Sequence, residues 1–161
     1  MANLKKKTYL KILFSLSFAI LITAYTIQYL LGYQPCSLCI VERVPYLLAI
    51  IILILNYKFK KDEIFYSVLL SLIFVFSFLI SAYHFGIEQG FIYESNICVT
   101  NGLDSITKES ILQSLQEINI SCKDVAFKIF GFSLTTYNML ISILMLLISL
   151  KVYLLNNDIQ K

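Results

Sequence analysis

Residues 64–85 read IFYSVLLSLIFVFSFLISAYHF, twenty-two positions without one Asp, Glu, Lys or Arg. A helix of that length rises roughly 33 Å at 1.5 Å per residue, enough to cross the ~30 Å hydrocarbon core of a bilayer. Three further runs of similar length flank it, at residues 11–31, 39–57 and 134–155. With 58% hydrophobic and only 14% charged residues, a soluble domain of this size would lack the charge to cover its surface. The mean hydropathy of +0.78 points the same way. The sequence therefore reads as an all-α membrane protein: a four-transmembrane-helix bundle forming a single membrane domain over residues 1–161. Trp is absent, but 11 Tyr and 12 Phe can supply the aromatic belts at the interfaces. A net charge of +3 is too small to argue for nucleic acid as a partner, and none is expected.

Lys5, Lys6 and Lys7 precede the first run, as they would in a signal peptide. The run is long for that, however, and it ends in Leu30-Leu31-Gly32-Tyr33-Gln34-Pro35 with no small-residue cleavage site, so an uncleaved first span is expected. Lysines also set the orientation. Lys5, Lys6, Lys7 and Lys11 precede span one, Lys58, Lys60 and Lys61 separate spans two and three, and Lys151 and Lys161 lie at the tail. The short segment 32–38 has no Lys or Arg, and the long segment 88–131 carries Lys108, Lys123 and Lys128 against six acids. The positive-inside rule then puts both termini in the cytoplasm, with one short and one long extracytoplasmic loop. All four cysteines fall outside. Within the long loop, Ile111, Leu112, Leu115 and Ile118 recur as in a short amphipathic helix. Phe127, Ile129, Phe130 and Phe132 are expected to re-enter the interface ahead of span four.

The cysteines form two groups: Cys36-Ser37-Leu38-Cys39, and Cys98 with Cys122. An even count on the outer side favours disulfides, and four cysteines allow three pairings. A C-x-x-C ring constrains little chain and is a poor staple, but its thiols can exchange with a partner and close again quickly. Cys36 and Cys39 stand where span two begins, and a helix N-terminus stabilises a thiolate. Arg43, four residues after Cys39, shares its helix face. Residues 44–57 alone rise only about 21 Å, so the spanning helix must include Glu42 and Arg43, with Pro45 tolerated near the first turn. An Arg at that depth usually snorkels. Beside two thiols it suits an anion or a polarised carbonyl instead. Glu42 reads as a rim carboxylate, solvated or paired with Arg43. His84 is the only histidine, and a lone interfacial histidine is more often structural than catalytic. Gln28 is expected to make an interhelical hydrogen bond, with a ligand pocket beside Cys39 as the other reading.

At this point the sequence resembles the bacterial disulfide bond formation protein B (DsbB) family. The resemblance rests on Gln34-Pro35-Cys36-Ser37-Leu38-Cys39-Ile40-Val41-Glu42-Arg43, similar to a P-C-x-L-C-x-x-E-R signature, and on Gln28 eight residues before the first cysteine. Tyr83-His84-Phe85-Gly86-Ile87-Glu88-Gln89-Gly90 is similar to a stretch that closes the family's third helix. The resemblance implies an oxidase of the bacterial inner membrane that passes electrons from a soluble thioredoxin-fold dithiol protein of DsbA type to a membrane quinone, ubiquinone or menaquinone. It implies that Cys98 is the sulfur attacked by the partner, that Cys122 is its disulfide mate and pairs transiently with Cys36, and that Cys39 faces the quinone. Arg43 would assist quinone binding, with Gln28 and His84 as further candidates for that pocket. The acidic loop around Cys98 and Cys122 departs from the family in spacing. No resident metal is expected. The competing readings are a tetrahedral zinc site on the four cysteines, a bundle stapled by static disulfides, and a reductive quinone-linked enzyme like the vitamin K epoxide reductases. The last usually carries its C-x-x-C late in the bundle.

Overall fold

The structure, a computed structural model, describes residues 2–59, 63–93, 98, 121–123, 128–129 and 131–160. The amphipathic stretch 111–118, with Phe127 and Phe130, lies outside the described residues. Among the described residues, five helices appear in chain order: α1 (Ala2–Tyr29), α2 (Ser37–Val41), α3 (Val44–Lys58), α4 (Glu63–Glu88) and α5 (Leu134–Gln160). A small hairpin, β1 (Lys128–Ile129) and β2 (Phe132–Ser133), precedes α5. Four stretches of the described residues are long and apolar enough to cross a membrane: Leu4–Tyr29, Ser37–Lys58, Glu63–Glu88 and Leu134–Asn157. Helices suit that setting because they satisfy every backbone polar group internally.

The second span departs from the expected unbroken helix over 39–57. It is built from α2 and α3, with Glu42 and Arg43 as a turn between them. Both keep right-handed helical dihedrals, so the chain continues in nearly the same direction. Pro45 accounts for the break. It has no N–H to give the Val41 carbonyl, and its ring crowds that position. The Arg43 N–H instead reaches only three residues back, to the Ile40 carbonyl at 3.1 Å.

The bundle is inside-out by the standard of soluble proteins. Phe65, Leu72, Phe76 and Leu79 of α4 are all more than half exposed, forming a stripe that suits lipid. Between the helices sits an apolar core of Leu13, Leu21, Tyr46, Ala49, Leu70, Phe74, Met145 and Val152. Small polar groups lock α4 to α5: Ser71 to Ser149 at 3.0 Å, Ser77 to Ser142 at 2.9 Å, and Asn156 Nδ2 to Ser67 Oγ at 2.7 Å. Serines let the two backbones approach closely, and their hydroxyls find partners that lipid cannot offer. Lys6 of α1 is buried and ion-paired with Glu63 at the start of α4, at the end of the bundle away from the cysteines.

At the cysteine end, α4 runs on to Glu88, past the point where the apolar run stops. The chain then folds back, with the Phe91 and Ile92 N–H groups both bonding the Gly86 carbonyl. Ile92 packs so closely there that a Cβ on Gly86 would meet its Cδ1 at 2.7 Å, so a larger residue at 86 would have to displace the Ile92 side chain. In the hairpin, Lys128 pairs with Ser133 and Ile129 with Phe132, and Gly131 takes a left-handed φ of 85°. Phe132 is 59% exposed, compatible with the interfacial position expected for it.

Candidate active site

Cys36 caps α2. Its backbone is extended, and its Sγ accepts the Cys39 N–H at 3.3 Å. One turn of helix thereby sets the two sulfurs side by side, 2.6 Å apart, with both cysteines free. Cys36 is buried and Cys39 half-buried. The reason for thiolate stability is more local than a helix dipole, because α2 has only five residues. The Cys36 thiol is brought down from an ordinary 9.0 to about 5, chiefly by the hydrogen bond with Cys39 and further by His84, against burial that pushes it up. Alkylation of Cys36 in the reduced chain should follow a midpoint near pH 5, its rate level from pH 7 upward, as read by mass spectrometry after iodoacetamide. A rate still climbing toward pH 9 would contradict this environment.

His84 stands directly behind Cys36. Its Nε2 lies 3.6 Å from Cys36 Sγ, and its Nδ1 lies 3.0 Å from Glu42 Oε1. Both His84, at 1% exposure, and Glu42, at 8%, are buried. This corrects the expectation for Glu42: the carboxylate turns inward to His84 rather than outward to water or to Arg43. Residues adjacent in sequence do not face each other on helical backbone. Arg43 instead donates from its guanidinium to Gln28 Oε1 at 2.5 Å and lies over the Tyr25 ring at 5.0 Å. The interhelical bond expected of Gln28 is therefore made, and its partner is Arg43.

Several site residues were missed in the sequence. Glu88, one turn beyond His84, has Oε1 4.0 Å from His84 Nε2. It accepts hydrogen bonds from Thr135 at 2.7 Å and Ser133 at 2.6 Å, which ties the end of α4 to the start of α5. Tyr46 donates to Asn138 Oδ1 at 2.5 Å, and Asn138 donates to Ser81 at 2.7 Å. The His84–Glu88 spacing of four was the available signal. Nothing in the sequence pointed to Thr135 or Asn138.

Cys98 and Cys122 form a disulfide with Cα atoms 5.4 Å apart. The bond is buried in one cluster with Cys36, Leu38 and Ile87, against which Cys39 and Tyr83 also pack. Both cysteine pairs thus share a single hydrophobic cluster at one end of the bundle. With Cys98 and Cys122 bonded to each other, the structure does not contain a four-cysteine metal site.

A cavity of about 410 Å³ adjoins this cluster. Leu16, Ile20, Ile27 and Ile141 give it an apolar wall, and Gln28, Cys39, Glu42, Arg43, Tyr46 and His84 supply a few polar groups. That volume and mixture are typical of a site for a small, largely apolar molecule. All four residues named from the sequence as pocket candidates, Arg43, Cys39, Gln28 and His84, line it.

Comparison with known proteins bears on this arrangement. The family described as "Disulfide bond formation protein DsbB" matches residues 6–152. A relative from Rickettsia prowazekii (strain Madrid E), "Uncharacterized protein RP370", is 31% identical over 141 residues, 84% of this chain and 81% of the relative. No solved structure matches the chain. Four membrane-spanning helices with a paired C-x-x-C and a second cysteine pair beside it accord with the match over most of the length, and the chain belongs to the DsbB family of membrane disulfide bond formation proteins.

Proposed function

We propose that the chain is a thiol:quinone oxidoreductase that reoxidises a soluble extracytoplasmic dithiol protein of thioredoxin fold and thereby sustains disulfide formation. One observation carries the reading: the buried cluster that joins the Cys98–Cys122 disulfide to Cys36 and Cys39, on the wall of an apolar cavity. In the net reaction the partner dithiol becomes a disulfide and a quinone becomes a quinol, two electrons and two protons moving from one to the other.

The partner's thiolate attacks Cys98 Sγ, and Cys122 leaves as a thiolate. The partner's second thiol then displaces Cys98 and closes the partner's disulfide. Cys122 next attacks Cys36 of an oxidised Cys36–Cys39 pair, releasing the Cys39 thiolate and making a Cys36–Cys122 bridge. Attack of Cys98 on Cys122 frees Cys36. Electrons now rest on Cys36 and Cys39, the free-thiol state of the present structure. Exchange needs a thiolate nucleophile and a good leaving group, and the low thiol pKa of Cys36 suits it to leave when Cys98 attacks Cys122.

The cavity fits a quinone head on chemical grounds: apolar walls, a half-buried thiol, and a guanidinium held by Gln28 and Tyr25. A quinone bound there would supply the two-electron acceptor for the Cys36–Cys39 pair. Arg43 would hold a fixed positive charge beside a quinone bound in the cavity, which low-dielectric surroundings would make more effective in stabilising negative charge. His84 Nε2 stands ready to hold the Cys36 proton, with Glu42 balancing the charge at Nδ1. The lysine distribution supports both termini in the cytoplasm and the cysteine cluster outside the inner membrane.

The direct test is quinone reduction by detergent-solubilised protein given a reduced thioredoxin-fold dithiol protein and a short-chain ubiquinone or menaquinone. Turnover is expected with at least one quinone class. None with either class, across several dithiol partners, would end this reading. Arg43→Ala is expected to lower kcat/KM for quinone on the order of 100-fold, as for loss of one preorganised donor. An unchanged value would remove Arg43 from the acceptor site.

A further inference from the structure

Cys36 Sγ, Cys39 Sγ and a nitrogen of His84 lie within 4.8 Å of one another, converging from α2 and α4. We propose that the dithiol form of the chain captures a zinc-class divalent ion on these three side chains, and that capture blocks closure of the Cys36–Cys39 disulfide. The binding half of this inference is independent of the oxidase reading, and only the inhibitory half rests on it.

Geometry favours the site. A tetrahedral zinc with Zn–S near 2.3 Å and Zn–N near 2.05 Å sets sulfur and nitrogen roughly 3.6 Å apart. Cys36 Sγ and His84 Nε2 are 3.6 Å apart. The same ion needs its two sulfurs roughly 3.8 Å apart. They now stand at 2.6 Å, so Cys39 must swing away from Cys36 by a side-chain rotation toward the cavity it borders.

The surroundings also favour it. A histidine ligand normally gives its second ring N–H to a carboxylate, which fixes the tautomer and the ring. Glu42 Oε1, 3.0 Å from Nδ1, is placed for that role and leaves the Nε2 lone pair directed at Cys36. Two thiolates cancel the ion's charge, so the complex is close to neutral and suits a buried setting. The cavity leaves a fourth position for water. In the reaction the Cys39 S–H proton and the proton shared by Cys36 and His84 Nε2 leave, two metal–sulfur bonds and one metal–nitrogen bond form, and no oxidation state changes. A Cys36–Cys39 disulfide has no thiolate to offer, so the site exists only in the reduced protein.

The test uses the full chain carrying Cys98→Ser and Cys122→Ser, reduced, freed of reductant and kept anaerobic in detergent. Cobalt(II) should bind at one ion per chain, with the intense sulfur-to-metal charge-transfer band and visible spectrum of a tetrahedral thiolate site. Zinc should bleach both. The oxidised form should bind neither ion. Glu42→Leu should weaken binding about 10- to 100-fold, as loss of a ligand's hydrogen-bond partner does elsewhere, and His84→Ala by at least as much. Should the double serine variant fail to fold, the fully reduced native chain serves. Zinc should then shield Cys36 and Cys39 from alkylation while Cys98 and Cys122 react. An octahedral cobalt spectrum, equal binding by the oxidised form, or affinity unchanged in His84→Ala overturns the proposal. Tight zinc binding in a chain that never reduces quinone would leave the metal site standing and remove the oxidase.

Discussion

Cys39→Ser is expected to abolish dithiol-dependent quinone reduction, a loss on the order of 1000-fold or more, while the helices remain intact by circular dichroism. Serine nearly matches cysteine in size but cannot form or break a disulfide. Cys36 and the half-buried Cys39 both line the cavity, and without the Cys39 sulfur the pair cannot pass electrons to an acceptor held there. Cys36→Ser should be equally severe, because Cys36 is the sulfur packed in the cluster with Cys98 and Cys122. The double variant Cys36→Ser/Cys39→Ser should be no worse than either alone, since groups acting as one unit are not additive. Turnover within about tenfold of the native rate in either single variant would mean that electrons bypass the C-x-x-C pair. The proposed order of thiol exchange would then be wrong.

The spans were legible because a bilayer imposes a length and an apolar composition that few other settings demand. What sequence could not supply was the joining of distant segments. Pro45 carries the signal for the break between α2 and α3, but a proline is also tolerated in the first turn of an unbroken helix, so sequence does not decide between the two. The apolar run ends at Phe85, but α4 continues to Glu88 because Ser133 and Thr135 supply hydrogen bonds that hydropathy cannot register. From sequence Glu42 reads as a rim carboxylate, solvated or paired with Arg43. Its actual partner, His84, is 42 residues away and becomes visible only when α4 is packed beside α2. The four cysteines showed the same limit. Their spacing singles out the redox pair but leaves three pairings open; only the family resemblance implies Cys122 as the mate of Cys98, and the structure joins the two.

His84→Leu is expected to destabilise the protein by about 3–5 kcal/mol, the usual cost of removing one member of a buried charged pair. The cause is the carboxylate left behind. Glu42 is only 8% exposed, and with His84 gone no described cation faces it in its place, since Arg43 is committed to Gln28 and Tyr25. Glu42→Gln should be far milder, because an amide oxygen can still accept the Nδ1 hydrogen bond at the same distance. The decisive comparison is His84→Leu in a Glu42→Gln background. There the buried charge is already absent, so the same histidine replacement should cost less, with a coupling of roughly 1–3 kcal/mol between the two positions. Unfolding in mixed micelles, followed by helicity and by thiol accessibility, gives all four corners of the cycle. Strict additivity would mean that the His84–Glu42 contact contributes nothing specific and that His84 acts by packing alone. Coupling in the expected range would make the pair the structural anchor behind Cys36, so that the thiol chemistry and the end of the bundle depend on the same two side chains.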